Sequence, residues 1–371
     1  MTGGVEKVSD TQIRILAEHG HTVGFVTSVE SDDVGDDIVM LRTNLQGFDS
    51  DHNIPIRQFN IRYNEQVSKK ISQFDPDIII CHETVKNSSL IKELTKIAGI
   101  IPTIYFVHQA AVGGISVLGI IDNLSKFSDA GGFVVNVSET NQKDWITTAN
   151  RSKKHLKTNS DPSKVFEAFC YVITSYEEYK VKQTGSYALM VARASEDKKI
   201  EKGIEFCQKA GIDFKWCHPK AGNEADIEYY NILETKINPD NNFVDLPRNR
   251  VLDKIAEAKY VLICGVESAS VVAVESNLSG VPVLLLSTIK NHPIPEMCAP
   301  GIFVHLNERT FSKNIEILKK FKYPSYDEKL DISKKVKEFY SKENTYSRIM
   351  NIIDLASVKR KRLETKIFGY R

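Results

Sequence analysis

The sequence predicts an α/β protein made of two Rossmann-like domains, each with a parallel sheet covered by helices. Its 371 residues are too many for one ordinary hydrophobic core, so two domains are expected. Short apolar runs alternate with amphipathic helical stretches along nearly the whole chain, which is the pattern of βαβ units. The runs are apolar at almost every position, as in strands buried on both faces of a sheet. We expect the domains to span 1–172 and 187–335, followed by helices in 336–371.

The first domain begins in an unusual way. Residues 3–27 predict a glycine loop, a helix, a turn and a strand, whereas such a loop normally follows a strand. Only Met1 and Thr2 precede Gly3, so either the first strand is missing from the chain or the domain does without it. We favour the first explanation, with a native start upstream of Met1. Further strands are predicted at the apolar runs 77–81, 103–107 and 132–137.

The second domain is predicted from a longer series of apolar runs. They lie at 187–192, 213–217, 242–245, 260–264, 282–286 and 302–305. Helical patterns fall between or after them at 198–210, 249–258, 268–279 and 309–321. The alternation breaks at 160–186, which we interpret as the connector between the domains. Residues 328–354 predict a helix that leads into a basic tail.

Composition excludes several classes of protein. An apolar content of 42% and a charged content of 26% are typical of a soluble globular protein. There is no apolar run long enough to span a bilayer and no signal peptide, so we expect a cytoplasmic protein without stable membrane association. The cysteines are scattered, as for reduced core thiols. Glycine patterns for hydride-transferring dinucleotide enzymes and P-loops are absent. The acidic pair Asp75 and Asp77 precedes a strand, so it predicts a turn and no metal site.

Two glutamates interrupt an apolar, small-residue stretch near the end of the second domain. Glu267 falls in a predicted strand-to-helix turn, where ligands bind in open α/β sheets, and Glu275 lies two helical turns later. A carboxylate suits the vicinal hydroxyls of a ribose or hexose. The helix is closed by Gly280, and at its other end the amides of Ser268, Ala269 and Ser270 would meet a diphosphate. The alternative is that both carboxylates pair within the fold.

A pair of cations is predicted at the same edge of the sheet. Arg193 and Lys198 follow the strand at 187–192. Arginine binds phosphate oxygens through two parallel hydrogen bonds, and lysine adds a point charge. Together with the two glutamates they indicate a nucleotide-sugar site.

These motifs resemble the retaining GT-B glycosyltransferases. The resemblance lies in the order R-x4-K, E-x7-E, G-x-P-V at 280–283 and I-P-E at 294–296, ahead of Gly301. It implies two Rossmann-like domains facing across a cleft, the C-terminal helices packing back on the first domain, and a UDP-sugar donor. It also implies that Glu267 holds the donor sugar, Glu275 holds the ribose, and Arg193 and Lys198 neutralise the diphosphate.

The same resemblance implies no metal and no further cofactor, because the two cations take the place of a divalent ion. Transfer would retain the anomeric configuration by a front-face mechanism, in which the leaving phosphate helps to deprotonate the acceptor hydroxyl. Gly3 and Gly4 would let the backbone approach the donor phosphate. The family's Gly-Phe-Gly after the first glutamate is replaced here by Ser268, Ala269 and Ser270, which leaves the donor sugar open.

A narrower resemblance is to the T-even phage DNA α-glucosyltransferases. It rests on "TIYFVHQAAVGG" at 103–114 and on the late helix "EFYSKENTYSRIMNII". In that family the strand ends in a histidine beside an acidic residue, whereas the neighbour of His108 is Gln109. The resemblance implies 5-hydroxymethylcytosine in DNA as the acceptor and His108 as the residue that positions sugar or acceptor. His82 ends a neighbouring strand in the same way.

Basic clusters would then contact DNA, although the net charge is only +1. The first cluster is Arg151, Lys153, Lys154 and Lys157, and the second is Lys359, Arg360, Lys361 and Arg362. If the last helix returns to the first domain, both clusters could form one phosphate-binding surface. The alternatives are a polysaccharide or lipid acceptor, a nucleotide-sugar 2-epimerase, or a non-catalytic DNA-binding protein, which would leave the four donor-site residues unexplained.

Overall fold

We analysed a computed structural model of the chain. It describes residues 4–27, 38–42, 56–82, 88–111, 115–157, 160–173, 179–183, 185–222, 224–289, 292–299 and 301–368. The chain divides into two compact units. The N-terminal unit is formed by Val5–Ile173 together with Lys342–Arg371, and the C-terminal unit contains Thr174–Ser341.

The elements follow the alternation that the sequence predicts. The strands are β1 (Val23–Thr27), β2 (Ile38–Arg42), β3 (Ile79–Cys81), β4 (Thr103–Val107), β5 (Phe133–Asn136), β6 (Ala168–Phe169), β7 (Tyr187–Val191), β8 (Asp213–His218), β9 (Asn242–Val244), β10 (Tyr260–Ile263), β11 (Val283–Leu286) and β12 (Phe303–Leu306). The helices are α1 (Gly4–Glu18), α2 (Ile56–Phe74), α3 (Ser88–Ala98), α4 (Ile115–Asp129), α5 (Glu139–Ser152), α6 (Pro162–Val165), α7 (Ile200–Ala210), α8 (Glu224–Glu234), α9 (Arg248–Glu257), α10 (Val271–Leu278), α11 (Ile294–Met297), α12 (Phe311–Lys320), α13 (Tyr326–Phe339) and α14 (Lys342–Phe368). β2 and β6 are additions to the strands expected from the sequence.

The N-terminal unit contains two parallel sheets in its described part. β1 pairs with β2, and a second sheet has the order β3-β4-β5-β6. Within the described residues no strand precedes α1. The four-stranded sheet is apolar on both faces, as its sequence predicts, with every residue of β4 buried. Tyr105, Phe127 and Trp145 are fully buried in the core beneath it.

α14 packs in the N-terminal unit although it is distant in sequence. It lies against β4 and β5. Near its start, the Tyr346 ring stacks on His19 at 3.7 Å between centroids, and Lys342 pairs with Glu18 on α1 at 3.0 Å. The single helix predicted at 328–354 is divided into two helices in the structure. α13 ends at Phe339, and the next residue, the fully buried Tyr340, donates its hydroxyl to Met297 O at 2.9 Å. The basic stretch expected as a tail continues α14 to Phe368.

The C-terminal unit is built on one parallel sheet with the order β12-β11-β10-β7-β8-β9. The chain extends this sheet from β7 through β8 to β9, and then returns to the other side of β7 to add β10, β11 and β12. The strand order therefore reverses between β7 and β10. In open α/β sheets ligands bind outside the carboxyl ends of the strands at such a switch point.

No helix in the described part of the chain is both long and apolar enough to cross a membrane. All the cysteines are free thiols.

Candidate functional site

The turns that follow β7 and β10 bring Lys198 and Glu267 together. The Val266 amide donates to Asp197 O at 3.1 Å and holds the two turns against each other. A Cβ at Gly265 would overlap this same carbonyl oxygen, so the approach requires glycine. As a result Lys198 Nζ lies 2.9 Å from Glu267 Oε1 and 3.2 Å from Val266 O. The side chains of Lys198 and Glu267 are 18% and 19% exposed, so a ligand can reach them.

Arg193 lies at the same edge and is linked to Lys198 by an acidic residue that the sequence reasoning missed. Asp197 Oδ1 accepts from Arg193 Nη2 at 3.3 Å and from Ser195 Oγ at 2.5 Å, and its other oxygen is 3.7 Å from Lys198 Nζ. Partial burial acts to raise the pKa of Asp197, but the Ser195 hydrogen bond and the two cations lower it below its usual value. The Arg193 side chain is 57% exposed, so its guanidinium can turn toward a ligand.

Helix α10 carries the second glutamate, and both of its ends are capped. Ser270 is the N-cap, and its hydroxyl accepts from the Ala273 amide at 3.3 Å. Ser268 and Ala269 precede it in the turn and are half-buried. At the C-terminus Gly280 adopts φ 67°, and the amides of Gly280 and Val281 donate to Asn277 O and Ser276 O. This Schellman motif is the glycine cap that the sequence predicts.

Glu275 is buried and is paired with an arginine that the sequence reasoning missed. Its side chain is only 2% exposed. Arg248 Nη1 donates to one carboxylate oxygen at 3.2 Å, and Nη2 donates to the other. Arg248 is the first residue of α9, which begins four residues after β9 ends, so the pair lies toward the carboxyl edge of the sheet. The pairing of Arg248 with Glu275 could not be predicted from the sequence, because 26 residues separate the two partners.

His292 supports the Glu267 turn from the segment before α11. Its Nε2 donates to Gly265 O at 3.1 Å, and its Nδ1 accepts from the Ile294 amide at 3.4 Å. Burial lowers the pKa of His292, so the neutral ring fits these two contacts. The residue immediately precedes the P-I-P-E motif, and that position was its one signal in the sequence.

In the N-terminal unit, His108 and His82 are in direct contact. His82 Nδ1 lies 2.9 Å from His108 Nε2, and the other ring nitrogen of His82 contacts Gln12 Oε1 on α1. Burial lowers the pKa of His108 to about 4. Burial and the nearby His108 lower the pKa of His82 well below its usual value. The sequence identified both histidines as strand-end residues, and it did not indicate the contact with Gln12.

The two basic clusters have different environments in the N-terminal unit. Arg151, Lys153, Lys154 and Lys157 are all exposed, as are Lys361 and Arg362 on α14, whereas Arg360 is half-buried. Lys359 corrects the expectation of a surface cation. Its Nζ lies 2.7 Å from Ser128 Oγ and 3.4 Å from Glu167, and burial lowers its pKa.

Of the glycines expected near the donor phosphate, Gly3 lies outside the described residues and Gly4 is the first residue of α1. Asp75 adopts a left-handed backbone with φ 53° between α2 and β3, which agrees with the predicted turn. Among the described residues no group of three or more histidine, cysteine, aspartate or glutamate side chains could hold a metal ion.

Neither a protein-family model nor a curated protein sequence matches the chain. Solved structures resemble it over nearly its whole length. An Escherichia coli trehalose-6-phosphate synthase bound with UDP-2-fluoro glucose is 11% identical, with a TM-score of 0.65 over 96% of this chain and 97% of that one. HepE from Anabaena in complex with UDP-glucose is 13% identical, with a TM-score of 0.64 and the same coverage.

A glycosyltransferase involved in avilamycin A biosynthesis is 15% identical, with a TM-score of 0.59 over 95% of this chain and 89% of that one. At such low identities these likenesses establish the fold alone. The chain has the GT-B fold, as its sequence predicts.

Proposed function

We propose that this protein is a glycosyltransferase that uses a UDP-sugar as donor. The observation that carries the proposal is the set of alternating charges at the switch point of the C-terminal sheet. Lys198 and Arg193 follow β7, and Glu267 follows the adjacent strand β10. Structural neighbours bound with UDP-glucose or UDP-2-fluoro glucose support the choice of donor class.

The pairing in the site fits such a donor. Glu267 pairs with Lys198 and Glu275 pairs with Arg248, so the charges neutralise each other. A nucleotide-sugar brings a diphosphate for the cations and hydroxyl groups for the carboxylates, and can therefore satisfy both groups at once. A free phosphate would satisfy only the cations and would leave Glu267 without its partner.

We also propose that transfer is retaining and needs no metal ion. Arg193 and Lys198 would stabilise the charge that develops on the leaving diphosphate. The leaving oxygen would then help to deprotonate the acceptor hydroxyl on the same face of the sugar. Ser268, Ala269 and Ser270 at the start of α10 would contact the donor, with Glu267 on the sugar and Glu275 on the ribose.

The donor is tested by thermal-shift screening of UDP-sugars, followed by donor hydrolysis and transfer with the wild type, Arg193→Ala and Lys198→Ala. Each variant should lower turnover by about 100-fold or more, because one charge at the leaving group is lost. Lys215→Ala is the matched control, since this lysine lies on β8 against the Tyr187 ring and contacts neither glutamate. Wild-type turnover in both site variants would overturn the assignment. Activity that is lost with chelator and restored by manganese or magnesium would overturn metal independence.

We propose DNA containing 5-hydroxymethylcytosine as the acceptor, and the basic surface of the N-terminal unit supports this choice. Three residues from outside α4 form hydrogen bonds with side chains of this helix. The Lys157 amide donates to Asp122, Ser160 Oγ donates to Asp129, and Lys359 Nζ reaches Ser128. Asp122 and Ser128 are six residues apart on one helix, or about 9 Å. The exposed cations of both clusters therefore flank one helix and could follow a phosphate backbone.

The acceptor is tested by mass analysis of hydroxymethylated DNA incubated with each UDP-sugar that binds. Replacing Lys153, Lys154, Lys361 and Arg362 with glutamine should weaken DNA binding and reduce its salt dependence, with a log–log slope of about −0.9 for each neutralised phosphate. Donor hydrolysis should remain unchanged. Sugar transfer to a glycan or lipid, with none to DNA, would replace this acceptor and keep the transferase. Release of an epimerised free sugar would indicate a nucleotide-sugar 2-epimerase instead.

A further inference from the structure

A lysine with a left-handed backbone joins the turn after β7 to helix α7. Lys199 is the N-cap residue of α7 and has φ 49° and ψ 45°. Among the described residues, the other non-glycine residues with positive φ are Asp75 and Asp245. Aspartate tolerates this conformation because its short side chain can form hydrogen bonds with the nearby backbone. Lysine lacks that advantage, so the conformation of Lys199 has to be maintained by contacts with other parts of the fold.

The residues on both sides of Lys199 have fixed positions. Before it, the Val266 amide donates to Asp197 O at 3.1 Å, and Lys198 Nζ donates to Val266 O at 3.2 Å. After it, Ile200 begins α7 and is fully buried in the core of the C-terminal unit. Residue 199 must therefore adopt the dihedral angles that connect these two anchored segments.

The side chain of Lys199 pairs with a glutamate from a distant turn. Lys199 Nζ lies 3.4 Å and 3.2 Å from the two carboxylate oxygens of Glu308. The Lys199 and Glu308 side chains are 33% and 18% exposed, so the pair is partly shielded from water. Thr288 Oγ1 donates to the same carboxylate at 3.1 Å. Because these three residues follow β7, β12 and β11, the carboxylate connects three turns at the carboxyl edge of the sheet.

Glu308 is itself presented by a well-fixed turn. The preceding residue, Asn307, accepts a hydrogen bond from the Arg309 amide at 2.9 Å through its side chain. Asn314 on α12 is 1% exposed, and its side chain bonds to both the amide and the carbonyl of Asn307, at 3.1 Å and 2.8 Å. The carboxylate of Glu308 can therefore serve as a fixed point for the more strained turn after β7.

We propose that Glu308 is a positioning residue whose ion pair with Lys199 holds the turn after β7 in the conformation that places Lys198 at the candidate donor site. Glu308 acts through the backbone of residue 199 and does not contact the donor. The effect of Glu308 on turnover rests on the proposed glycosyltransferase function. Its effect on the conformation of Lys199 does not, because all the contacts lie within the C-terminal unit.

Rescue by glycine distinguishes positioning from direct contact with the substrate. Glu308→Gln removes the charge, keeps an acceptor for Thr288, and should lower kcat for sugar transfer by about tenfold or more, because Lys198 is displaced. Lys199→Ala should have the same effect, since it loses the ion pair and keeps the strained backbone. Glycine adopts the left-handed conformation without strain, so adding Lys199→Gly to Glu308→Gln should restore kcat to within about threefold of the wild type. No rescue by glycine would overturn the proposal.

Glu316→Gln is the matched control for the loss of charge. Glu316 is exposed on α12 and follows the same turn as Glu308. Its replacement should leave both kcat and the unfolding temperature unchanged. A fall in kcat equal to that of Glu308→Gln would show that the effect comes from net charge and would overturn the positioning role.

Thermal unfolding of the full chain tests the conformation without any substrate. Glu308→Gln should lower Tm by about 2–4 °C in the wild type, and by less than about 1 °C in the Lys199→Gly background. Lys199→Gly should unfold at a higher temperature than Lys199→Ala, because the glycine is unstrained. Equal shifts in the two backgrounds, or a lower Tm for Lys199→Gly than for Lys199→Ala, would contradict the proposal. If no transfer is detected at all, the proposed function fails, while the unfolding comparison still tests the role of Glu308.

Discussion

Glu275 shows how a carboxylate can be accommodated in the interior of the C-terminal unit. A buried carboxylate is tolerated only when it is paired and hydrogen-bonded. Arg248 provides this pairing through both of its terminal nitrogens. Arg248 is also the first residue of α9, where the helix dipole disfavours a cation, and the first turn of α9 contains no acidic residue. Arg248 therefore stabilises the buried Glu275 carboxylate and does not stabilise the N-terminus of α9.

Loss of Arg248 should be costly for this reason. Arg248→Gln removes the guanidinium charge and its two hydrogen bonds from the buried Glu275 carboxylate, and should lower the free energy of unfolding at about pH 7 by about 3–5 kcal/mol. The double variant with Glu275→Gln should recover most of the loss, because the buried negative charge is removed together with the arginine. Urea unfolding of the full chain measures both effects.

Arg250→Gln is the matched control for that comparison. It removes the same charge from the same helix at an exposed site, so its effect should stay within about 0.5 kcal/mol. Equal losses for Arg248→Gln and Arg250→Gln would contradict a special role for the pair.

At the scale of elements, α14 illustrates how neighbouring residues of one basic stretch can have different environments. Lys359 lies toward the unit, between Ser128, Glu167 and the Phe133 ring, whereas Lys361 is exposed two residues later. The sequence presents both as members of one basic run. Only the direction of each side chain on a packed helix separates them.

We therefore expect Lys359→Met and Lys361→Met to differ in kind. Lys359→Met removes a hydrogen bond from a mostly buried ammonium and should lower the free energy of unfolding by about 1–3 kcal/mol. Lys361→Met should leave stability within about 0.5 kcal/mol and should instead weaken DNA binding. Thermal unfolding and DNA titration of the same two proteins check the prediction, and a reversal of the two effects would refute it.

The elements that the sequence predicts well are those with strong apolar runs. β4 has the predicted bounds, 103–107. In the C-terminal unit, each strand begins and ends within one residue of its predicted bounds. β6 contains two residues, too few to leave a periodic pattern. The break between α13 and α14 contains no glycine or proline that would signal it in the sequence, and at this point the Tyr340 hydroxyl donates to Met297 O, a contact with a residue distant in sequence.

At the scale of the whole molecule, the residues of the candidate site could be predicted better than their partners. Glu267 and Lys198 follow strands, and the edge at which a strand ends can be judged from the sequence. Their contact depends on β7 and β10 being neighbours, which is known only from the sheet order. Arg248, His292 and Gln12 were missed for the same reason, since each acts on a residue from another element.

The return of α14 to the N-terminal unit also has a consequence for biosynthesis. Domains generally fold as units while the chain is still being made. Once residue 341 has left the ribosome, the segment 174–341 of the C-terminal unit is available in full, whereas the N-terminal unit still lacks the helix that covers β4 and β5. The N-terminal unit can therefore be completed only after the segment 174–341 has been translated. Until α14 has been synthesised, β4 and β5 lack the packing that this helix provides.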